Sequence, residues 1–295
     1  MAPIASSSNA SPSRPQDTNS LVLEGWGQGF MVGSLAVMTV ITAANMKSKK
    51  VIHKFIIIEL LLAAFHGTFI FLHEPAYGWY LSASAVSLNV SAALHNLIAW
   101  MKARSFFNIW GSRFYLATLL LAQVYWILEG YANFAFFNYN KPLFITTRYF
   151  EPLFRDPWWI IATCLLFYNI KHAYRCTFCD LIRTSPRFGI MIFLLVISVL
   201  LTIVDSFDVL GAVHLAIPTG VEPIWKFALV SKYLCDTVIL DDFKSTLDRV
   251  SAAFFSNLLQ SESTPFHPRG PNGEAPTRPD CIHVTHEIRT LSESP

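Results

Sequence analysis

The sequence predicts an all-α polytopic membrane protein, a seven-transmembrane-helix bundle with its N-terminus lumenal or outside and its C-terminus cytosolic. Three observations predict it. Of 295 residues, 53% are hydrophobic and only 14% charged, where soluble domains carry about 25% charge. The apolar residues come in blocks close to the ~20 that cross a bilayer core. Lys and Arg gather in alternate connections between those blocks, which is how orientation is encoded.

Residues 1–24 are rich in Ser, Pro and Asn and read as a disordered N-terminal tail; they lack the basic start and short apolar stretch of a cleaved signal. Asn9, followed by Ala10 and Ser11, is a glycosylation acceptor usable only if that tail is lumenal. A transmembrane domain over 25–240 follows, with spans at 25–45, 55–72, 79–101, 114–137, 157–173, 188–209 and 222–240. Each is expected to be helical, because lipid offers backbone polar groups no other partner. The connection after the first span carries Lys47, Lys49, Lys50 and Lys54, that after the third Lys102, Arg104 and Arg113, and that after the fifth Lys171, Arg175, Arg183 and Arg187. Of the opposite connections, 73–78 and 210–221 carry no Lys or Arg, and 138–156 carries Lys141, Arg148 and Arg155. The basic side is therefore expected to be cytosolic. Trp26, Trp79, Trp110, Trp158, Trp159 and Trp225 lie near span ends, as interfacial anchors do. Over 241–260, Phe243, Leu247, Val250, Phe254 and Leu258 recur at intervals of three and four, the pattern of an amphipathic helix on the cytosolic surface. Residues 261–295 are Pro, Ser, Thr and charge, a disordered C-terminal tail.

A net charge of +2 is too small to suggest a nucleic-acid partner; the lipid bilayer is the expected one. Cys164, Cys176, Cys179, Cys235 and Cys281 make no disulfide framework. Cys176 and Cys179, with His172 shortly before them, resemble half a zinc site without a second half, so no metal is expected. No aspartate-rich diphosphate motif, phosphate loop or dinucleotide fingerprint is present, and no cofactor is expected.

Chemistry in such a chain is sought among ionisable groups inside spans, each of which costs about 2.5–3.5 kcal/mol to insert. Counting helical rise puts Glu129 roughly 22 Å and Asp205 roughly 25 Å above the cytosolic ends of the fourth and sixth spans. They share a layer, with Asp208 nearly a turn higher and His66 near mid-membrane. A second layer, about one turn inside the cytosolic boundary, holds Glu59, His95, Asn96, Asn169 and Asp236. Lys232 lies one turn from Asp236, so the two can neutralise each other. This layer reads first as structural, since pairing and snorkelling lower its cost.

Glu129 is harder to dismiss. Tyr125, Trp126 and Tyr131 surround it in sequence, and Phe134, Phe136 and Phe137 follow. Rings that exclude water disfavour an ionised carboxyl and suit it to act as an acid; their faces also stabilise a cation within about 6 Å. The expected centre has Glu129 as acid, and Asp205 or Asp208, which share a helix face, as proton partner. Tyr125, Trp126 and Tyr131 form the cation-stabilising wall, with His66, Glu59 and Asp236 as further candidates for contact with substrate. The structural alternatives are Glu129 as a hydrogen-bonding tie between helices and Asp208 as a hydrated interfacial group.

Leu128-Glu129-Gly130-Tyr131 in its aromatic helix resembles the Ile-Glu-Gly-Trp helix of the emopamil-binding-type sterol isomerases (the EXPERA domain). Ser185-Pro186-Arg187-Phe188, the aspartates at 205 and 208, and the stretch 238–244 continue the likeness. Tyr125 stands where that family carries histidine, so the resemblance implies protonation and deprotonation through a carbocation rather than sterol double-bond movement itself. The whole chain, with its close over 218–244, also resembles the small membrane-bound terpene cyclases of fungal meroterpenoid pathways, those of ascochlorin and ascofuranone biosynthesis among them. This second resemblance implies cyclisation of an epoxidised prenyl chain on an aromatic acid or phenol, without metal or nucleotide, in the endoplasmic reticulum. It implies a hydrophobic prenylated small molecule as substrate and an epoxidase among the pathway partners.

Two other classes fit a seven-span chain. A receptor or sensor matches the topology, and Lys232 invites comparison with a retinal pigment, but the third span has no carboxylate to serve as counter-ion. A small-molecule transporter needs a polar path, which two layers of acids supply, yet broken helices in matched halves are not seen.

Overall fold

The computed structural model describes residues 17–47, 49–73, 75–172, 182–183, 185–210, 224–240 and 243–262. Every regular element among the described residues is helical: α1 (Thr18–Ala44), α2 (Val51–His66), α3 (Ala76–Ala103), α4 (Ile109–Tyr139), α5 (Leu143–Arg148), α6 (Glu151–Arg155), α7 (Pro157–His172), α8 (Pro186–Val209), α9 (Ile224–Val238) and α10 (Phe243–Glu262). Among the described residues, four helical stretches are long and apolar enough to cross a membrane: Thr18–Ala44, Val51–Phe71, Ala76–Phe106 and Pro186–Val209. That composition fits a membrane protein. Asn9, Cys176 and Cys179 lie outside the described residues, as does the tail beyond Glu262.

Local chemistry sets the helix ends. Asp17 caps α1 by accepting from the Ser20 N–H, and Asn108 caps α4 by accepting from the Gly111 N–H, each satisfying an orphan donor of the first turn. α4 stops at Asn140, whose φ of 54° is left-handed, a conformation asparagine tolerates at a C-cap. Since α1 begins at Thr18, the expected tail over 1–24 is corrected: its last residues are helical. The Asp17 cap starts the helix, and Glu24 is buried against Lys226 at 2.7 Å.

The helices pack as neighbours: α2 lies on α3, α3 on α4, α1 on α2 and α9, and α8 on α9. The cores lie between them, one built around Met31, Leu35, Leu60, Leu88 and Tyr233 and another around Trp159, Leu166, Phe188, Leu195 and Leu247. α10 packs one face inward. It turns Leu247 and Val250 into that second core and leaves Lys244, Asp248 and Arg249 exposed.

At its lumenal end by the sequence reading, α3 approaches α4 closely. A Cβ on Gly78 would lie 2.9 Å from the Phe137 carbonyl oxygen, and backbone cannot yield as a flexible side chain does. Gly78→Ala is expected to destabilise by about 1–3 kcal/mol, measured as a lower thermal unfolding midpoint in detergent; an unchanged midpoint would mean that the two helices separate without penalty.

The expectation most altered is the loop over 138–156. It is not a loop. α5 and α6 run back along α4: Phe144 packs on Phe136 at 5.4 Å, the Tyr125 hydroxyl donates to the Thr147 carbonyl at 2.8 Å, and Phe154 stacks on Tyr125 at 4.3 Å. α7 continues the path, with the Trp158 indole donating to Thr118 at 3.1 Å. This descending limb is broken because Pro152 and Pro157 cannot donate a backbone hydrogen bond and clash with the preceding turn; each instead opens a new short helix, where a missing N–H costs nothing. The limb carries Arg148 and Arg155 into the bundle, so neither is a loop residue. Lys102 is likewise buried rather than in a connection.

Candidate functional site

Three ionisable side chains from three helices meet beside α3. Glu59 comes from α2, His95 from α3 and Asp236 from α9, and all are buried. His95 Nδ1 lies 2.8 Å from Glu59 Oε1 and 3.0 Å from Asp236 Oδ2. Lys102 Nζ reaches Asp236 Oδ1 at 2.8 Å and also donates to the Asp236 and Ile239 carbonyls. The imidazole is held between aromatic rings, with Trp159 at 4.6 Å and Tyr233 at 5.1 Å. Ser91 fixes the far side, donating to the Glu59 carbonyl at 2.8 Å and lying 2.7 Å from the Tyr233 hydroxyl.

This arrangement has a chemical direction. Nδ1 faces two carboxyls, so it carries a hydrogen; in the neutral ring the lone pair lies on Nε2. His95 Nε2 is buried without a hydrogen-bond partner among the described residues, as is Glu59 Oε2. His95 also lines a cavity of about 40 Å³. The three residues bring ligand-type atoms within 4.8 Å of one another, a donor set able to hold a divalent cation. Lys102 already places an ammonium on the same carboxylate, which reduces the negative charge left to attract one.

The same cavity is bordered by a second ionic cluster. Arg155 is its hub, bonded to Glu151 at 3.0 Å, to Asp156 at 2.9 Å and to Asp205; Lys232 pairs with Asp156. Trp225, Tyr233, Leu88, Ala92 and Leu229 complete the wall with Asn96 and Asn89. Asn96 donates to the Arg155 carbonyl at 3.1 Å.

Glu129 stands in an adjoining cavity of about 20 Å³, with His66, Trp126, Asn133, Phe144 and Glu151. Its side chain is 4% exposed. Thr147, Arg148 and Tyr125 are its polar neighbours, and Oε2 has no hydrogen-bond partner among the described residues. His66 Nδ1 lies 3.0 Å from Ser84 Oγ. The two cavities share Leu88 and Asn89.

Several expectations are corrected by these contacts. Asp205 does not share a proton with Asp208; it is bonded to Arg155, while Asp208 is only half-buried and borders neither cavity. Lys232 does not neutralise Asp236, because Asp156 captures it first and Lys102 takes its place on Asp236. Tyr131 is 58% exposed and leaves the aromatic wall, since two residues along a helix turn about 200° away from Glu129. Trp126 stays in that wall, and Tyr125 is drawn to Thr147 and Phe154. Asn169 bonds within its own helix. Arg155, Glu151 and Glu24 are the participants that pattern reading passed over, and His95 was placed in the lower layer without a role. Arg155 carried a usable signal, an arginine between acids in a stretch punctuated by prolines.

Comparison with protein-family models, with characterised proteins and with solved structures finds no match to this chain.

Proposed function

We propose that the chain is a seven-span membrane enzyme, N-terminus lumenal and C-terminus cytosolic, that isomerises or cyclises a hydrophobic prenylated small molecule, of the meroterpenoid kind its sequence resembles, in the endoplasmic reticulum membrane. The observation that carries this reading is a pair of buried ionisable centres, Glu129 and His95 with its two carboxyls, beside adjoining cavities partly lined by aromatic rings. The topology is supported by α4 and α9 as further crossings and by α5, α6 and α7 as one broken crossing, tolerated where the irregular backbone is buried in protein. With Arg148 and Arg155 inside the bundle, Lys141 is the remaining basic residue of the connection after α4, which sharpens the charge asymmetry.

In this mechanism Glu129 is the acid. A buried carboxyl with one unpartnered oxygen can give its proton to a basic oxygen that approaches. Protonation of an epoxide oxygen breaks one C–O bond and leaves a tertiary cation; an alkene π pair of the same chain attacks it and closes a ring. The aromatic faces stabilise the charge as it moves. His95 Nε2 then takes a proton from the final cation, with Glu59 and Asp236 fixing the ring and balancing the imidazolium. One proton enters and one leaves, so the product is an isomer of the substrate.

The test is to express the chain in a host lacking it and supply a prenylated phenol epoxide. The expected result is a product of unchanged mass bearing a new ring; unconverted substrate across a panel of such epoxides removes the reading. Microsomes carrying Glu129→Gln are expected to convert about 10²-fold less, within the range of general acid contributions. Turnover equal to wild type would remove Glu129 from the mechanism.

A further inference from the structure

We infer that the two cavities are the closed halves of one elongated binding chamber for a long, hydrophobic, polar-headed ligand, and that α5 and α6 are the movable wall that closes it. The inference rests on the functional reading above for the ligand class, but the chamber itself is argued from geometry. Leu88 and Asn89 line both cavities. On the opposite side, α6 supplies Glu151 to one and Arg155 to the other, joined by the 3.0 Å ion pair between them. One turn of one short helix is thus the partition. Along α3 the combined lining runs from Ala85 to Asn96, roughly 16 Å of helix, which accommodates an extended prenyl chain.

As they stand, cavities of about 40 and 20 Å³ hold a few waters, whereas small-molecule sites run to ~300 Å³ or more. A wall must move to admit a ligand, and α5–α6 is the element built to do so. Its helices are six and five residues long, too short to persist by themselves, and proline interrupts them. The ties from it across the chamber include two ion pairs, Arg155 to Asp205 on α8 and Asp156 to Lys232 on α9, beside one neutral bond from the Asn96 amide to the Arg155 carbonyl. A polar head group that competes for those charges loosens the same bonds that hold the wall shut, so occupancy and opening are coupled.

Two measurements test this without turnover. Ala228, 4% exposed, lines the larger cavity; in an Ala228→Cys protein, modification of residue 228 by a small methanethiosulfonate reagent, read by peptide mass, reports opening. Adding Asp205→Asn or Asp156→Asn is expected to raise that rate about tenfold, while Glu24→Gln, which breaks a buried pair elsewhere, leaves it unchanged. If neither latch variant folds, deuterium exchange of the wild-type protein decides: amides of 143–156 exchange well before those of α4 and α8. Unchanged modification rates in folded latch variants, or equal protection of all three segments, overturn the moving wall. The chamber is tested with two farnesylated phenols carrying a photoreactive diazirine, one on the ring and one at the chain end. They are expected to crosslink to opposite ends, one to α4 and the other to α9. Both probes on one helix, or no crosslink, overturn the chamber. Crosslinks at both ends in a protein that converts no epoxide would leave the chamber standing and remove the catalysis.

Discussion

Glu59→Gln is expected to lower substrate conversion by about 10²–10⁴-fold, the range that a positioned base contributes, while leaving the helical fold intact. The substitution preserves shape and burial. It changes one property: the carboxyl 2.8 Å from His95 Nδ1 becomes an uncharged amide. Asp236 still faces Nδ1 at 3.0 Å, but the neutral amide no longer balances the imidazolium that forms when Nε2 takes a proton. His95→Gln should match it in size, since it removes the base outright. The check is conversion by microsomes carrying equal amounts of each protein, with product identified by mass and ring structure. Wild-type turnover in Glu59→Gln would mean that the cluster serves packing alone.

Arg155→Met is the substitution expected to cost most in stability. It leaves Glu151, Asp156 and Asp205, each at most 4% exposed at the side chain, without the guanidinium that joins them. Removing one partner of a buried ion pair costs about 3–5 kcal/mol, and here three acids lose the guanidinium they share. The expected outcome is a thermal midpoint lower by many degrees or loss of monodisperse protein on extraction. Adding Asp205→Leu to Arg155→Met should recover part of the loss, because it removes one of the stranded carboxyls. A single variant as stable as wild type would show that water reaches the cluster freely.

The helices themselves were largely legible. Spans read at 79–101 and 188–209 became Ala76–Ala103 and Pro186–Val209, because apolar runs bounded by caps and prolines carry their own ends. The limb over 143–155 was not legible as helix. Its apolar residues are few, its helices short, and its charged residues look solvent-facing until Asp205 and Lys232 are brought to them. The tail residues at 18–24 were misread for the same reason: Glu24 suggests water unless Lys226, distant in sequence, is known to be its partner.

Within the site, Glu129 could be picked out because its aromatic neighbours are also its sequence neighbours. The His95 cluster could be listed but not assembled. Asp236 has Lys232 one turn away, and local spacing favours that pair; the structure instead gives Asp236 to Lys102 and His95 and Lys232 to Asp156.

By itself the sequence determined a helical, membrane-suited chain, since composition and block length are properties of single segments and lipid leaves the backbone one solution. Tertiary structure alone decided which charges meet. Pairing falls off over a few ångströms, and residues such as 59, 95 and 236 reach that distance only when the faces of three helices have been turned toward one another.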